Sequence, residues 1–139
     1  MKRVVIVEDN EMIVEFYRYV LEHDGYVVSA TESGDEALQL ARAADTVAII
    51  MDISLKATSL QGRPIDGLEL SRTLKSDPST RQVPIIIATA HAMVGDRERF
   101  LRESGAEAFL PKPVTDPAEL TSLVQRLSGR RVSRPGNPS

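Results

Sequence analysis

The sequence predicts an α/β domain with a doubly wound, five-stranded parallel sheet and five helices, (βα)5. Two observations predict it. Short apolar, β-branched runs alternate along the chain with helical patterns, and such alternation implies right-handed βαβ crossovers. Several runs are apolar without a period of two, which is expected for strands covered by helices on both faces. A length of 139 residues suits one domain.

Five apolar runs mark the strands, and helix signals lie between them. The runs cover residues 3–7, 26–30, 46–51, 84–88 and 107–110. The first predicted helix carries an apolar stripe at helical spacing and stops at Asp24-Gly25. The stripe consists of Met12, Ile13, Phe16, Tyr17, Val20 and Leu21.

The other four helices are predicted from their ends. Ser33–Glu36 and Asp66–Glu69 have the spacing of capping boxes and open the second and third helices. A fourth helix is expected over residues 94–104, with Gly105 as the residue that ends it. The fifth begins at Asp116-Pro117, where a cap residue precedes a first-turn proline.

The fourth predicted helix is weakly anchored. Its apolar anchors are Val94, Phe100 and Leu101, and most of its other residues are charged. A helix with few buried contacts can shift at low cost, which would suit a switch element. An ordinary exposed helix has the same composition, so both interpretations stay open.

Two segments depart from the βα pattern. Residues 53–66 form a loop that is long for a strand-to-helix connection, and such loops are usually functional or mobile. Residues 129–139 hold three arginines and no acid, and their composition predicts a disordered tail. We therefore expect one domain over residues 1–128, followed by this tail.

Composition and charge narrow the function classes. The net charge is −3, aromatic residues make up 4%, and residues 1–128 carry 14 basic against 20 acidic side chains. An acidic body without stacking platforms does not suit nucleic-acid binding. No apolar run approaches the ~20 residues of a membrane span. With no cysteine, disulfides and thiolate chemistry are excluded, and we expect a cytoplasmic protein without nucleic-acid or membrane partners.

Five polar residues follow the predicted strands, at the edge where ligands bind in open α/β sheets. They are Glu8, Asp9, Asp52, Thr89 and Lys112. Each alone has an ordinary explanation as a cap, turn or solvated residue. Together, the carboxylates suit Mg²⁺, which prefers oxygen ligands and also accepts phosphate oxygens. A carboxylate there can attack phosphorus, and the amine and hydroxyl could stabilise the transferred group.

The sequence lacks the motifs of several other chemistries. It has no P-loop, no G-x-G-x-x-G after the first strand and no G-x-S-x-G elbow. Nucleotide hydrolysis and dinucleotide binding are therefore poor fits. His23 and His91 do not have the spacing of a metal-ligand pair.

In this order and spacing, the strand-end motifs resemble the receiver domain of response regulators in two-component signalling. The resemblance spans residues 3–128 and implies a flavodoxin-like fold with strand order 2-1-3-4-5. It rests on VVIVEDN at 4–10, AIIMDI at 48–53, DGLE at 66–69, VPIIIATA at 83–90 and AFLPKP at 108–113. Residues 91–96 are also similar to stand-alone cell-cycle receivers and to receivers of hybrid kinases. We expect the single-domain type, like stand-alone chemotaxis and cell-cycle receivers.

The resemblance implies that Asp52 is the phosphoacceptor and that Mg²⁺ is the cofactor. By the same resemblance, Asp9 is a direct ligand of the metal, and Asp52 belongs to the metal set as well. Glu8 contributes to the metal site through water, and the backbone carbonyl of Ser54 is a further ligand.

The resemblance also implies which groups respond to phosphorylation. Thr89 corresponds to the switch hydroxyl. Lys112 corresponds to the lysine that contacts the phosphoryl group, and Pro113 after it is expected to be cis. Phe109 occupies the aromatic switch position, although plain core packing explains it equally well. The positions that tune dephosphorylation in such domains correspond to Ser54 and His91.

The leading hypothesis is a receiver that takes a phosphoryl group from a histidine kinase or a histidine phosphotransfer protein onto Asp52. It would be a signalling domain rather than an enzyme, and it would bind its downstream target through the fourth helix, fifth strand and fifth helix. Loop 53–66 is longer than in the family and supports an alternative, a phosphorylation-independent interaction module. A small phosphatase is less favoured, because Ser54 stands where such an enzyme has a second carboxylate.

Overall fold

Strands and helices alternate along the chain as the apolar runs and helix ends predict. The computed structural model describes residues 1–90 and 93–132. The elements are β1 Arg3–Val7, α1 Glu11–His23, β2 Val27–Thr31, α2 Gly34–Arg42, β3 Thr46–Asp52, β4 Ser59–Leu60, β5 Arg63–Pro64, α3 Gly67–Ser76, β6 Ile85–Thr89, α4 Asp96–Ser104, β7 Ala108–Pro111 and α5 Pro117–Val132.

The five predicted strands form one parallel sheet in the order β2-β1-β3-β6-β7. Since β6 and β7 are the fourth and fifth predicted strands, the predicted order 2-1-3-4-5 is confirmed. All seven residues of β3 are buried, as expected for a central strand with helices on both faces. The strand order reverses between β1 and β3, and this reversal opens a crevice at their carboxyl ends.

Alternate side chains of β1 divide the core into two layers. Val4 and Ile6 pack with residues of α1 and α5, whereas Val5 and Val7 pack with residues of α2 and α3. Helix α4 contacts α3, β6 and β7. None of the helices in the described ranges combines the length and apolar content needed to cross a membrane.

Side-chain caps begin three helices, two of them at the residues that the capping-box spacing predicts. Asn10 caps α1, Ser33 caps α2 and Asp66 caps α3, each by accepting backbone N–H groups of the first turn. The cap at Asn10 matters most for the polar edge of the sheet, the edge that carries the five predicted polar residues. It starts α1 directly after Glu8 and Asp9 and so sets the direction in which both carboxylates leave β1.

Two predicted core residues are exposed. Helix α4 begins at Asp96 rather than at residue 94, so Val94 precedes the helix and is fully exposed instead of anchoring it. Gly95, which lies between Val94 and the first residue of the helix, is in the left-handed region with φ of 87°. This conformation keeps residue 94 out of the helix. Met12 lies on the outer side of α1 with 83% exposure, while Tyr17, Val20 and Leu21 of the same stripe are buried.

The last helix is longer than predicted. It continues to Val132, so residues 129–132 are helical although we expected the tail to begin at residue 129. A single glycine such as Gly129 costs a helix only about 1 kcal/mol, which is too little to end it. Residues 133–139 lie outside the described residues, and the disorder of that part of the tail stays a prediction.

Loop 53–66 contains a small antiparallel hairpin formed by β4 and β5. The hairpin packs on the start of α2, where the N–H of Gln61 donates to both carboxylate oxygens of Asp35 at 3.2 Å. Gly34 lies so close to it that a Cβ there would come within 2.6 Å of the Ser59 carbonyl oxygen. The first residues of the loop contact the polar edge of the sheet, and the hairpin contacts α2.

Gly67 begins α3 directly against the end of β3. A Cβ at this position would lie 2.0 Å from the carbonyl oxygen of Asp52 and 2.8 Å from its carbonyl carbon. We expect Gly67→Ala to lower the free energy of unfolding by about 3 kcal/mol, the upper end for overpacking, because backbone must move to admit the methyl group. Urea unfolding measures the change.

The matched control for this prediction is Gly129→Ala in α5. No heavy atom lies within 4 Å of a Cβ built there, and alanine favours a helix over glycine by about 0.5–1 kcal/mol. This control should leave stability unchanged or raise it. Equal stabilities of the two variants would contradict the close approach of α3 to β3.

Candidate functional site

The carboxyl ends of four neighbouring strands bring the predicted polar residues to one edge of the sheet. Glu8 and Asp9 follow β1, Asp52 ends β3, Thr89 ends β6 and Lys112 follows β7. Glu8 and Asp52 are each 4% exposed and Thr89 is 2% exposed. Polar side chains this deeply buried need partners inside the protein, and the edge supplies them.

Lys112 links two of the carboxylates. Its Nζ lies 3.0 Å from Oε1 of Glu8 and 3.1 Å from Oδ1 of Asp52. The Lys112 backbone is held as well, because its N–H donates to the carbonyl oxygen of Thr89 at 2.9 Å. The peptide bond between Lys112 and Pro113 is cis, as predicted. One ammonium group therefore faces two buried carboxylates that are far apart in the sequence.

The pKa of Glu8 reflects its burial and the fact that it shares the Lys112 ammonium with Asp52. Burial raises the pKa of Glu8 above its ordinary value, the hydrogen bond from Lys112 opposes the rise, and the charge of Asp52 adds to it. The N–H groups of Asp9 and Asn10 donate to Oε2 of Glu8 at 3.1 and 3.2 Å. The net direction is upward, so the ionised form of Glu8 is disfavoured in the folded protein.

Glu8→Gln should therefore remove the fall in stability with rising pH that Glu8 contributes to the metal-free protein. A carboxyl whose pKa is higher in the folded than in the unfolded state binds protons better when folded. Stability is then greatest below the unfolded value, 4.5, and falls as pH rises through the folded pKa. The glutamine has no charge to titrate, but it keeps only one acceptor oxygen, so its NH₂ group replaces the acceptor of either Lys112 or the Asp9 and Asn10 N–H groups.

The measurement is urea unfolding of both proteins across a pH series with a chelator present. We expect the stability of the Glu8→Gln variant relative to the wild type to rise as the pH rises from 4.5 to 7. A difference that stays constant with pH would contradict the assigned direction of the Glu8 pKa shift.

Three carboxylates form a candidate metal centre. Glu8, Asp9 and Asp52 each offer an oxygen, and the three oxygens lie within 4.8 Å of one another. Backbone groups of loop 53–66 hold two of these side chains, since the N–H of Lys56 donates to Asp9 Oδ2 at 3.2 Å and that of Ser54 to Asp52 Oδ1 at 3.3 Å. An all-oxygen, anionic donor set suits a hard cation such as Mg²⁺ better than a soft one.

The remaining site predictions concern residues near this centre. Phe109 in β7 stacks on Phe100 of α4 with ring centroids 6.4 Å apart, and it packs at the margin of the second core layer. This contact links β7 to the helix for which both a switch element and an ordinary exposed helix were left open, and it is also ordinary packing. His91 lies outside the described residues, so its role in tuning dephosphorylation stays a prediction, as does that of Ser54.

Sequence reasoning missed one group in this region, the hydroxyl of Tyr17. The apolar stripe of α1 predicts Tyr17 as a core residue, and it is 1% exposed. Its side chain also lines a cavity of about 480 Å³ together with Glu8, Asp9, Asp52 and Lys112. The signal in the sequence was a phenol among purely apolar neighbours in that stripe.

Comparisons with known proteins point to one family. The model of the response regulator receiver domain family matches residues 4–125. The polar-differentiation response regulator DivK of Brucella ovis is 44% identical over 122 residues, which cover 88% of this chain and 93% of that protein. Its counterpart in Brucella anthropi is 43% identical over the same number of residues.

Solved structures show the same fold. The receiver domain of sensor histidine kinase PA1611 from Pseudomonas aeruginosa PAO1 superposes with a TM-score of 0.76 at 33% identity, covering 92% of this chain and 98% of that one. That structure has a magnesium ion coordinated in its active-site cleft. The receiver domain of a histidine kinase from Syntrophus aciditrophicus gives a TM-score of 0.78 at 28% identity, covering 100% and 98% of the two chains.

Proposed function

The chain belongs to the receiver domain family of response regulators in two-component signalling, and from this membership we propose that Asp52 accepts a phosphoryl group while Glu8, Asp9 and Asp52 hold Mg²⁺. The observation that carries the proposal is the Lys112 ammonium, 3.0 Å from Glu8 and 3.1 Å from Asp52 beside the carboxylate cluster. The ammonium and the cluster combine a nucleophile, a cation site and a charge that can stabilise a transferred phosphoryl group.

Asp52 acts as the nucleophile in this proposal. A carboxylate oxygen attacks phosphorus of a phosphohistidine or an acyl phosphate, the bond from phosphorus to the leaving group breaks, and an aspartyl phosphate remains. Hydrogen bonds from Lys112 and from the Ser54 N–H to Oδ1 hold the carboxylate in one orientation. Bound Mg²⁺ supplies positive charge to the phosphoryl oxygens. The Lys112 ammonium stabilises the charge that develops on the same oxygens.

The response to phosphorylation passes through β6, β7 and α4. Thr89 ends β6, and the residue before it, Ala88, pairs with Asp52 in the neighbouring strand. New charge on Asp52 draws a hydroxyl donor toward it, and Thr89 is the donor that the family resemblance assigns. Phe109 carries the change to α4 by its stacking on Phe100. Helix α4 is suited to move, because Val94 does not anchor it.

Receiver domains exchange signals with histidine kinases and downstream targets, and the finer assignment of partners is part of this proposal. A histidine kinase or a histidine phosphotransfer protein donates the phosphoryl group, and a protein target binds the face of α4, β7 and α5. The acidic net charge of −3 argues against nucleic acid as a partner. We place the exchange in the cytoplasm, and we assign the chain no enzymatic role beyond its own phosphorylation and dephosphorylation.

Intact mass after incubation with acetyl phosphate tests the proposal. We expect one phosphoryl adduct with Mg²⁺ and none with a chelator. The adduct should be lost on treatment with hydroxylamine, which cleaves acyl phosphates. A folded protein that binds Mg²⁺ but forms no adduct would contradict the proposal and would favour the phosphorylation-independent interaction module.

A further inference from the structure

Tyr17 carries a buried hydroxyl that the proposed function does not use. The residue is 1% exposed, and its hydroxyl oxygen has no hydrogen-bond partner among the described residues. A buried hydroxyl without a partner costs about 1–3 kcal/mol. A phenylalanine would fill the same ring-shaped space in the core without this cost, so packing alone does not explain the hydroxyl.

The residue that carries this hydroxyl lines the cavity of the candidate site. Tyr17 lines the cavity of about 480 Å³ that also has Glu8, Asp52 and Lys112 in its wall. Burial and then the negative charges of Glu8 and Asp52 raise the pKa of Tyr17 above its ordinary value. The phenol therefore stays protonated and has an O–H group to donate.

The cavity that Tyr17 shares with Glu8 and Asp52 is large enough to hold a water molecule. A buried water needs a polar site and two to four polar partners. The cavity wall offers the Tyr17 hydroxyl, the carboxylates of Glu8 and Asp52 and the Lys112 ammonium, and it has the room. A bridging water would satisfy the hydroxyl and would hold the carboxylates from the side of α1.

We propose that Tyr17 is a positioning residue of this site, whose hydroxyl donates through a cavity water to the Glu8 and Asp52 carboxylates and so strengthens Mg²⁺ binding. Ligating carboxylates are commonly hydrogen-bonded by outer groups, and loss of such a group typically weakens metal affinity about 10–100-fold. A bridging water transmits less than a direct bond. The inference rests on the proposed function in taking Mg²⁺ as the ion.

Tyr17→Phe tests the inference, with Tyr19→Phe as the matched control. Tyr19 lies in the same helix with 72% exposure, outside the cavity. Calorimetric titration with MgCl₂ should give a dissociation constant about threefold to tenfold higher for the Tyr17→Phe variant. This loss of affinity lies at or below the lower end of the range for groups that hydrogen-bond a metal ligand. The Tyr19→Phe variant should bind Mg²⁺ like the wild type.

A spectroscopic readout complements the affinity. In protein labelled with ¹³C at Cζ of its 3 tyrosines, the signal that disappears in the Tyr17→Phe variant belongs to Tyr17. This signal should shift on addition of MgCl₂ more than that of Tyr19. Thermal unfolding should show that the Tyr17→Phe variant is folded, since the ring packing is kept.

The outcomes separate this inference from the proposed function. Equal Mg²⁺ affinity of the wild type and a folded Tyr17→Phe variant would overturn the role of Tyr17 and leave the proposed function standing. A wild type that binds no Mg²⁺ at millimolar concentration would overturn both. Weaker binding by the Tyr17→Phe variant and unchanged binding by the Tyr19→Phe variant would establish the role.

Discussion

Asp52→Asn is expected to abolish the phosphoryl adduct that the wild type forms with acetyl phosphate and Mg²⁺. The amide oxygen still accepts hydrogen bonds from Lys112, but it is neither charged nor nucleophilic, so no acyl phosphate forms. The change also removes one carboxylate of the cluster of three, which weakens the cation site. Intact mass measures the loss, which should be complete.

Asp66→Asn is the matched control for this experiment. Asp66 is an exposed acid near Asp52 in the chain that caps α3 by accepting the N–H of Glu69 at 2.9 Å, and asparagine caps a helix about as well. This variant should be phosphorylated like the wild type. An adduct of undiminished amount on the Asp52→Asn variant would show that another residue is the acceptor.

Lys112→Ala is expected to destabilise the protein and to slow phosphorylation. Removal of one partner from a buried ion pair typically costs about 3–5 kcal/mol, because the remaining charge is buried without compensation. Here two carboxylates are left, with Glu8 and Asp52 side chains only 2% and 5% exposed. We expect a loss near the lower value, because the carboxylates can take up protons. Phosphorylation should slow about a hundredfold, as on loss of one charge-stabilising donor.

The pH at which stability is compared follows from the pKa of Lys112. Burial acts to lower this pKa, but the hydrogen bond to Glu8 and the charges of Asp52 and Glu8 outweigh burial and raise it. For a lysine with a raised folded pKa, the stabilisation is fully present below the unfolded value of 10.5 and is lost as pH rises through the folded pKa. Urea unfolding at pH 7 therefore measures the whole effect.

Lys56→Ala is the control for the Lys112 prediction. The Lys56 side chain is exposed, and its contact with Asp9 is made by the backbone N–H, which alanine keeps. This variant should be as stable as the wild type within about 0.5 kcal/mol, as for most surface changes. A similar loss of stability in both variants would show that the Lys112 bridge is not a buried, uncompensated pair.

The fold could be predicted closely because its signals are local. Asn10, Ser33 and Asp66 act as caps in the structure, and a cap depends on a side chain and on the first turn that follows it. The apolar run 46–51 became a fully buried central strand. The meeting of Glu8, Asp52 and Lys112 could be predicted as well, since the topology of a parallel sheet places the carboxyl ends of its strands at one edge.

Other features depend on how distant segments pack, which a local pattern does not contain. The hairpin in loop 53–66 is positioned by Asp35 of α2, and nothing in the loop itself indicates that partner. Val94 matched the apolar pattern but precedes a left-handed glycine and is exposed. Helix α5 continues past residue 129, because the single glycine at that position is too weak a signal to stop the propagation of the helix.

By itself, the sequence determined the order of the five parallel strands and five helices along the chain, the capped starts of α2 and α3, and the residue types that meet at the carboxyl edge of the sheet. Tertiary structure decided which Lys112 contacts formed, at 3.0 and 3.1 Å, and that Tyr17, whose hydroxyl is buried, lines the cavity of the site. The physical reason is the distance along the chain over which each interaction acts. Caps and periodicity act over a few residues, whereas burial, ion pairing and the space around a side chain depend on segments that come together only when the sheet and its helices have packed.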